Sequence, residues 1–191
     1  KKVLDLVVEE NKKRAKENRK PLYVFYDMIY WILVYGDTKH YNPVELNPEI
    51  RDYIIFIDGI SKCFAATGVR LGWAFGPKPV IKKISAILAH IGAWSPKPEQ
   101  VATGRFLKNT SAVDEFFVNF KNELFTRLNT FYEGIMEIKK SGYDVDAIYP
   151  QGALYLTVKL NLVGKKTSDG KVLNTIDDVL GYILEEGKIA L

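Results

Sequence analysis

Between residues 27 and 70 the chain sets out four groups that chemistry can use: the Asp27 carboxylate, the Tyr30 phenol, the Lys62 amine and the Arg70 guanidinium. A lysine amine forms a Schiff base with a carbonyl compound when its site lowers its pKa. An arginine grips phosphate through a planar pair of donors. Taken alone, each residue has an ordinary reading: Asp27 as the N-cap of a following helix, Lys62 as a surface charge. The stretch "GISKCFAATGVRLGWAFGP", residues 59–77, argues for more. Ala65, Ala66, Thr67 and Gly68 leave room for something bulky, and Arg70 is expected to return toward the edge that carries Lys62.

These groups need a scaffold. After Pro21, "LYVFYD" is a short apolar and aromatic run closing on Asp27, the pattern of a strand buried on both faces of a parallel sheet. "DYIIFIDG", residues 52–59, repeats the design, and "LGWAFG", residues 71–76, is a third candidate strand. Ligands of open α/β sheets bind beyond the carboxyl ends of the strands, where Asp27 falls. Ahead of these strands, Val3, Leu4, Leu6, Val7 and Val8 precede a charged stretch, as in an amphipathic helix. Helical patterns follow from Pro79 to about Ile91. Another runs from roughly Glu99 to Lys140, with Phe116, Phe120, Leu124, Leu128 and Phe131 at helical spacing. "GALYLTVKL", residues 152–160, alternates like a half-exposed strand, and a last helix covers about Ile176 to Glu186. The order suggests two lobes joined by a connecting helix.

With 191 residues, 47% of them hydrophobic, the chain can bury a real core. A net charge of +4 and the absence of interleaved aromatic and basic residues argue against nucleic acid, and no apolar run is long enough to span a bilayer. The single cysteine, Cys63, excludes an internal disulfide framework and suggests a reducing compartment, so a soluble, cytoplasmic protein is expected. His40 and His90 stand apart with no ligand partners at metal spacing, so no metal site is expected. Cys63 has no paired histidine to make it a nucleophile, and Trp31, Trp73 and Trp94 read as core or interface residues. The chain starts without Met inside a helical pattern and stops at "EEGKIAL", where a strand or loop should be starting, which reads as a fragment lacking both ends.

One carboxylate, one phenol, one amine and one guanidinium together meet the needs of pyridoxal 5'-phosphate. "FYDMIY" followed by "SKCFAATGVRLGWAFGP" resembles the class I/II aminotransferases of the aspartate aminotransferase superfamily, fold type I. The shared pattern is Asp-x-x-Tyr, then Ser-Lys-x-Phe, then Thr-Gly-x-Arg-x-Gly. The resemblance implies Asp27 on the pyridine nitrogen, Tyr30 on the ring oxygen, Lys62 as the Schiff-base lysine, Arg70 on the phosphate and a phosphate hydrogen bond from Ser61. It implies an α/β fold: the C-terminal portion of the large, mostly parallel cofactor-binding domain over residues 1–113, then the connecting helix and most of a small α/β domain over 114–191. It implies transamination between an amino acid and a 2-oxo acid in a homodimer, with a lyase or decarboxylase of the same fold as the alternative. One departure stands out: many relatives carry Ser or Thr where this chain has Gly59. The family's phosphate loop, ring-stacking aromatic and carboxylate-binding arginine are expected outside these residues, so the 191 residues alone are expected to be inactive.

Overall fold

Asn11 sits buried in the middle of helix α1 (Lys2–Lys16), and its side chain explains how the chain turns back. The Asn11 carboxamide accepts the Leu22 amide at 2.7 Å and donates to the Leu22 carbonyl at 2.9 Å. Two residues beyond Leu22 the chain enters strand β1 (Val24–Asp27). The computed structural model describes residues 1–190. They divide into two compact units, residues 1–126 with 151–154, and the remainder.

In the first unit, helix α2 (Pro43–Leu46) and a 3-10 turn (Pro48–Tyr53) lead into strand β2 (Ile54–Gly59). Asn47 caps the 3-10 turn by accepting the Glu49 amide at 3.0 Å, and donates to Asp5 of α1 at 2.8 Å. Helix α3 (Ile60–Cys63) and a 3-10 turn (Thr67–Val69) then return the chain to strand β3 (Gly72–Phe75). β2 is central: β1 pairs with it in parallel, Asp27 opposite Ile57, and β3 pairs antiparallel, Gly72 opposite Gly59. Ile54 and Phe56 point to one face and join Leu4, Val8 and Ile50 in the core. Ile55 points to the other face and is equally buried. Each buried isoleucine contributes about 1.5–3 kcal/mol of apolar burial.

Helices α4 (Lys78–Ile91) and α5 (Lys97–Phe106) follow, then the long helix α6 (Thr110–Lys140), inside which the two units divide. In the second unit, β4 (Val145–Ala147) pairs antiparallel with β5 (Val158–Leu160). Asp146 of β4 meets Lys139 at 2.8 Å. Helix α7 (Ile176–Glu185) starts in a capping box between Thr175 and Asp178, and buries Val179.

The sequence reading needs four corrections. β1 is not buried on both faces: its residues alternate half-buried and exposed, and Phe25 is 65% exposed. The strand lies at the edge of the three-stranded sheet, with β2 on one side only. The helical stretch from Glu99 to Lys140 is two helices, interrupted at residues 107–109, where Asn109 accepts from Ser111 Oγ at 3.0 Å and its carbonyl takes the Val113 amide. The strand expected over 152–160 shrinks to Val158–Leu160: Gly152 forms an isolated bridge with Val34, and Ala153 takes a left-handed φ of 60° that ends any extended run. Of the core or interface reading of the tryptophans, only the core alternative falls, Trp31, Trp73 and Trp94 being 38%, 37% and 56% exposed.

Candidate active site

Parallel pairing gives β1 and β2 a common carboxyl edge. Asp27 is the last residue of β1, and Lys62 follows β2 by three residues, on the short helix α3. Antiparallel β3 returns the chain to that same edge, because Gly72 pairs with Gly59 and the Ile60 amide donates to the Leu71 carbonyl at 3.2 Å. Arg70, next to Leu71, is brought there by the backbone.

The side chains differ in what they do. Asp27 is exposed, and its Oδ1 accepts the Ile29 amide at 3.1 Å, which shapes the turn leading to Tyr30. Lys62 is half-buried, with Nζ 6.0 Å from the centre of the Tyr30 ring, so the structure brings amine and phenol ring together. Arg70 takes a left-handed φ of 57° and donates from Nη1 to the Thr67 carbonyl at 2.8 Å. Its guanidinium is exposed and engaged with its own turn. Ser61 is half-buried between Ile60 and Lys62 in α3.

What holds α3 in place is apolar. The Phe64 ring, two residues beyond Lys62, packs against Phe117 at 4.8 Å, Phe116 at 5.5 Å and Phe106 at 5.6 Å between ring centres. Helices α5 and α6 therefore clamp the lysine-bearing turn through one aromatic side chain. Gly59, at the start of α3, has a geometric reason for being glycine. A Cβ there would lie 2.8 Å from the Leu71 carbonyl oxygen and 3.0 Å from Gly72 Cα. The close approach of β2 and β3 leaves no room for a side chain at position 59.

Two further residues beside Gly59 were not singled out as site residues by spacing. Asp58 is buried, accepting the Gly59 amide at 2.7 Å and the Trp31 indole N–H at 3.1 Å. Burial pushes its carboxyl above the usual range, against the pull of those two hydrogen bonds, and the nearby Asp27 charge pushes the same way. The Cys63 thiol donates to the Gly59 carbonyl at 3.2 Å, and burial drives its pKa to about 11, which leaves it a poor nucleophile. An apolar groove of about 730 Å3, lined by Met28, Trp31, His40, Val44, Phe56 and Phe75 among others, does not include Lys62 or Tyr30. His40 packs there between the Tyr26 ring at 5.9 Å and the Trp31 ring at 6.1 Å.

Solved aminotransferases share the fold of this chain. The aspartate aminotransferase of Rhizobium meliloti superposes with a TM-score of 0.75 at 24% identity, over 88% of this chain and 40% of that one. The aromatic aminotransferase of Pyrococcus horikoshii OT3 superposes with a TM-score of 0.77 at 21% identity, over 100% of this chain and 45% of that one. These likenesses establish the fold-type I α/β architecture. The profile of the family described as aminotransferase class I and II matches residues 12–190, and the chain belongs to that family. Among curated relatives, an aspartate aminotransferase of Geobacillus stearothermophilus is 31% identical over 86% of this chain and 39% of its own length. A probable aspartate/prephenate aminotransferase of Rickettsia bellii is 30% identical over 95% of this chain and 45% of its own. The chain thus spans less than half the length of these relatives. Members of the family are pyridoxal-phosphate enzymes.

Proposed function

We propose that the protein containing this chain is a pyridoxal 5'-phosphate-dependent aminotransferase, moving an amino group between an amino acid and a 2-oxo acid. The observation that carries the reading is the shared carboxyl edge of β1 and β2, with the Lys62 amine 6.0 Å from the Tyr30 ring centre and Asp27 closing the neighbouring strand. The donor set fits the cofactor: an exposed carboxylate for a pyridine nitrogen, a phenol for a ring oxygen, an amine for an aldehyde, and Arg70 with Ser61 for a phosphate. When bound, the cofactor supplies an aldehyde and an electron-withdrawing ring.

Asp27, at the strand end, would pair with the protonated ring nitrogen. Tyr30 orients the ring through its hydroxyl. Lys62 would hold the cofactor through its amine and would serve as the base for a proton at the substrate α-carbon. Phe64 and Gly59 keep the lysine turn where it is. Residues 1–113 are read as the C-terminal portion of the large domain, and 114–191 as the connecting helix and small domain. The division between compact units inside α6 supports a connecting role for that helix. A homodimer in the cytoplasm completes the proposal. The single cysteine supports the compartment, and the exposed apolar Ile87, Ile91 and Trp94 offer surface to a second copy. Among the described residues no helix is long and apolar enough to cross a membrane.

The test is a visible absorbance spectrum of the full-length protein with pyridoxal phosphate, beside Lys62→Ala. A band that needs Lys62 and shifts with added amino acids is expected. A wild-type protein without any band would end the reading.

A further inference from the structure

The side chain of Asp58 stands outside the set assigned to the cofactor, yet it connects two parts of that set. It is 7% exposed, and both its oxygens are engaged. Oδ1 accepts the Gly59 amide at 2.7 Å, and Oδ2 accepts the Trp31 indole N–H at 3.1 Å. Trp31 directly follows Tyr30, and Gly59 caps α3, whose third residue is Lys62. One carboxylate therefore ties the turn that bears the phenol to the helix that bears the amine. The Gly59 peptide is also held from its other side, by the Cys63 thiol on its carbonyl at 3.2 Å.

We propose that Asp58 is a positioning residue that sets the spacing between the Tyr30 ring and the Lys62 amine, and thereby the seat of the pyridoxal ring; this rests on the pyridoxal reading above. The chemistry calls for a carboxylate. Two N–H donors converge on this side chain, and a carboxylate offers an oxygen acceptor to each. An asparagine of the same shape must turn its NH2 toward one of the two donors, which breaks that bond without changing the volume of the site. Hydrogen bonds to a charged acceptor are roughly twice as strong as neutral ones, so the link is stiff as well as specific. The groups whose charges reach Asp58 are Asp27 and His40, and Cys63 in turn feels Asp58.

The experiment uses the full-length protein as wild type, Asp58→Asn, Trp31→Phe and the double variant. Each is titrated with pyridoxal phosphate while the visible absorbance and the visible circular dichroism per bound cofactor are read, with the thermal midpoint measured alongside. The expected result is cofactor binding about tenfold weaker in each single variant, the effect of one charged hydrogen bond, together with an altered visible dichroism. The double variant should be no worse than the worse single one, because both changes break the same link. Wild-type affinity and dichroism in both single variants, whatever the thermal midpoint does, would overturn the proposal, as would full additivity in the double variant. Should Asp58→Asn fail to fold, Trp31→Phe, at a partly exposed ring, decides alone by the same two readings. A wild-type protein without a visible band would overturn the pyridoxal reading itself and this proposal with it. A normal wild-type band with unaltered variants removes only the role of Asp58.

Discussion

β1 and β2 lie side by side in parallel, are built from similar apolar residues, and each has an aspartate at its carboxyl end, but the two strands live in different surroundings. β2 has a neighbour on both edges and apolar cover on both faces, and Ile54 and Ile55 are each 1% exposed. β1 has β2 on one side only, and every second residue is exposed. The aspartates follow their strands. Asp58 is buried and spends both oxygens inside the protein, whereas Asp27 faces outward, with its Oδ1 on the next turn. A strand's place in the sheet, more than its composition, thus decides whether its terminal carboxylate is buried within the protein or left exposed.

The largest effect that would sharpen this contrast is in β2. Ile55→Ala removes a fully buried side chain from a strand packed on both faces, and should destabilise the chain by about 2–5 kcal/mol in a urea titration. A cost below about 1 kcal/mol would mean that β2 is not the packed centre of the sheet.

A smaller effect concerns Asp58 and pH. The carboxyl of Asp58 titrates above its ordinary value of 3.8 in the folded chain, first because of burial. As pH rises past 3.8 the unfolded chain gives up this proton before the folded one does, so the folded state binds more protons there. The contribution of Asp58 is therefore full below that pH, and is lost as pH rises through the folded pKa. Unfolding free energies of wild type and Asp58→Asn, measured from pH 3 upward, should converge or cross in that direction. A difference that stays flat across the acid range would show that burial does not govern this carboxylate.

How much of this was open to sequence reading follows the same line. The strands β1 to β3, the lysine turn and the last helix were legible because apolar runs, glycines and a Ser-Lys-x-Phe pattern are local signals. The exposed side of β1 was not, since it depends on which strands lie beside it. The break at residues 107–109 had a local sign in Asn109 and Thr110, but the apolar periodicity on either side masked it. The short β5 escaped because a bridge from Gly152 to Val34, 118 positions away in sequence, claims the residues that alternate like a strand. The Asp58 link was hidden for a similar reason: its indole partner is 27 residues away, and only the pairing of β1 with β2 brings the two together. Asn11 and Leu22 present the same problem over 11 residues.

The smallest effect belongs to β1. Phe25 is a large aromatic residue in a run that reads as core, so its composition alone would forecast a loss as large as that of Ile55. Its ring is 65% exposed, however, and leaves water over only part of its surface on folding. Truncating it therefore gives up little transfer free energy and opens no cavity, because one side of the ring already meets solvent. Phe25→Ala should change the stability of the chain by no more than about 0.5–1 kcal/mol, against several for Ile55→Ala under the same conditions. A loss at Phe25 equal to that at Ile55 would mean that something covers the outer face of β1 in solution, and the distinction drawn between the edge strand and the central one would have to be given up.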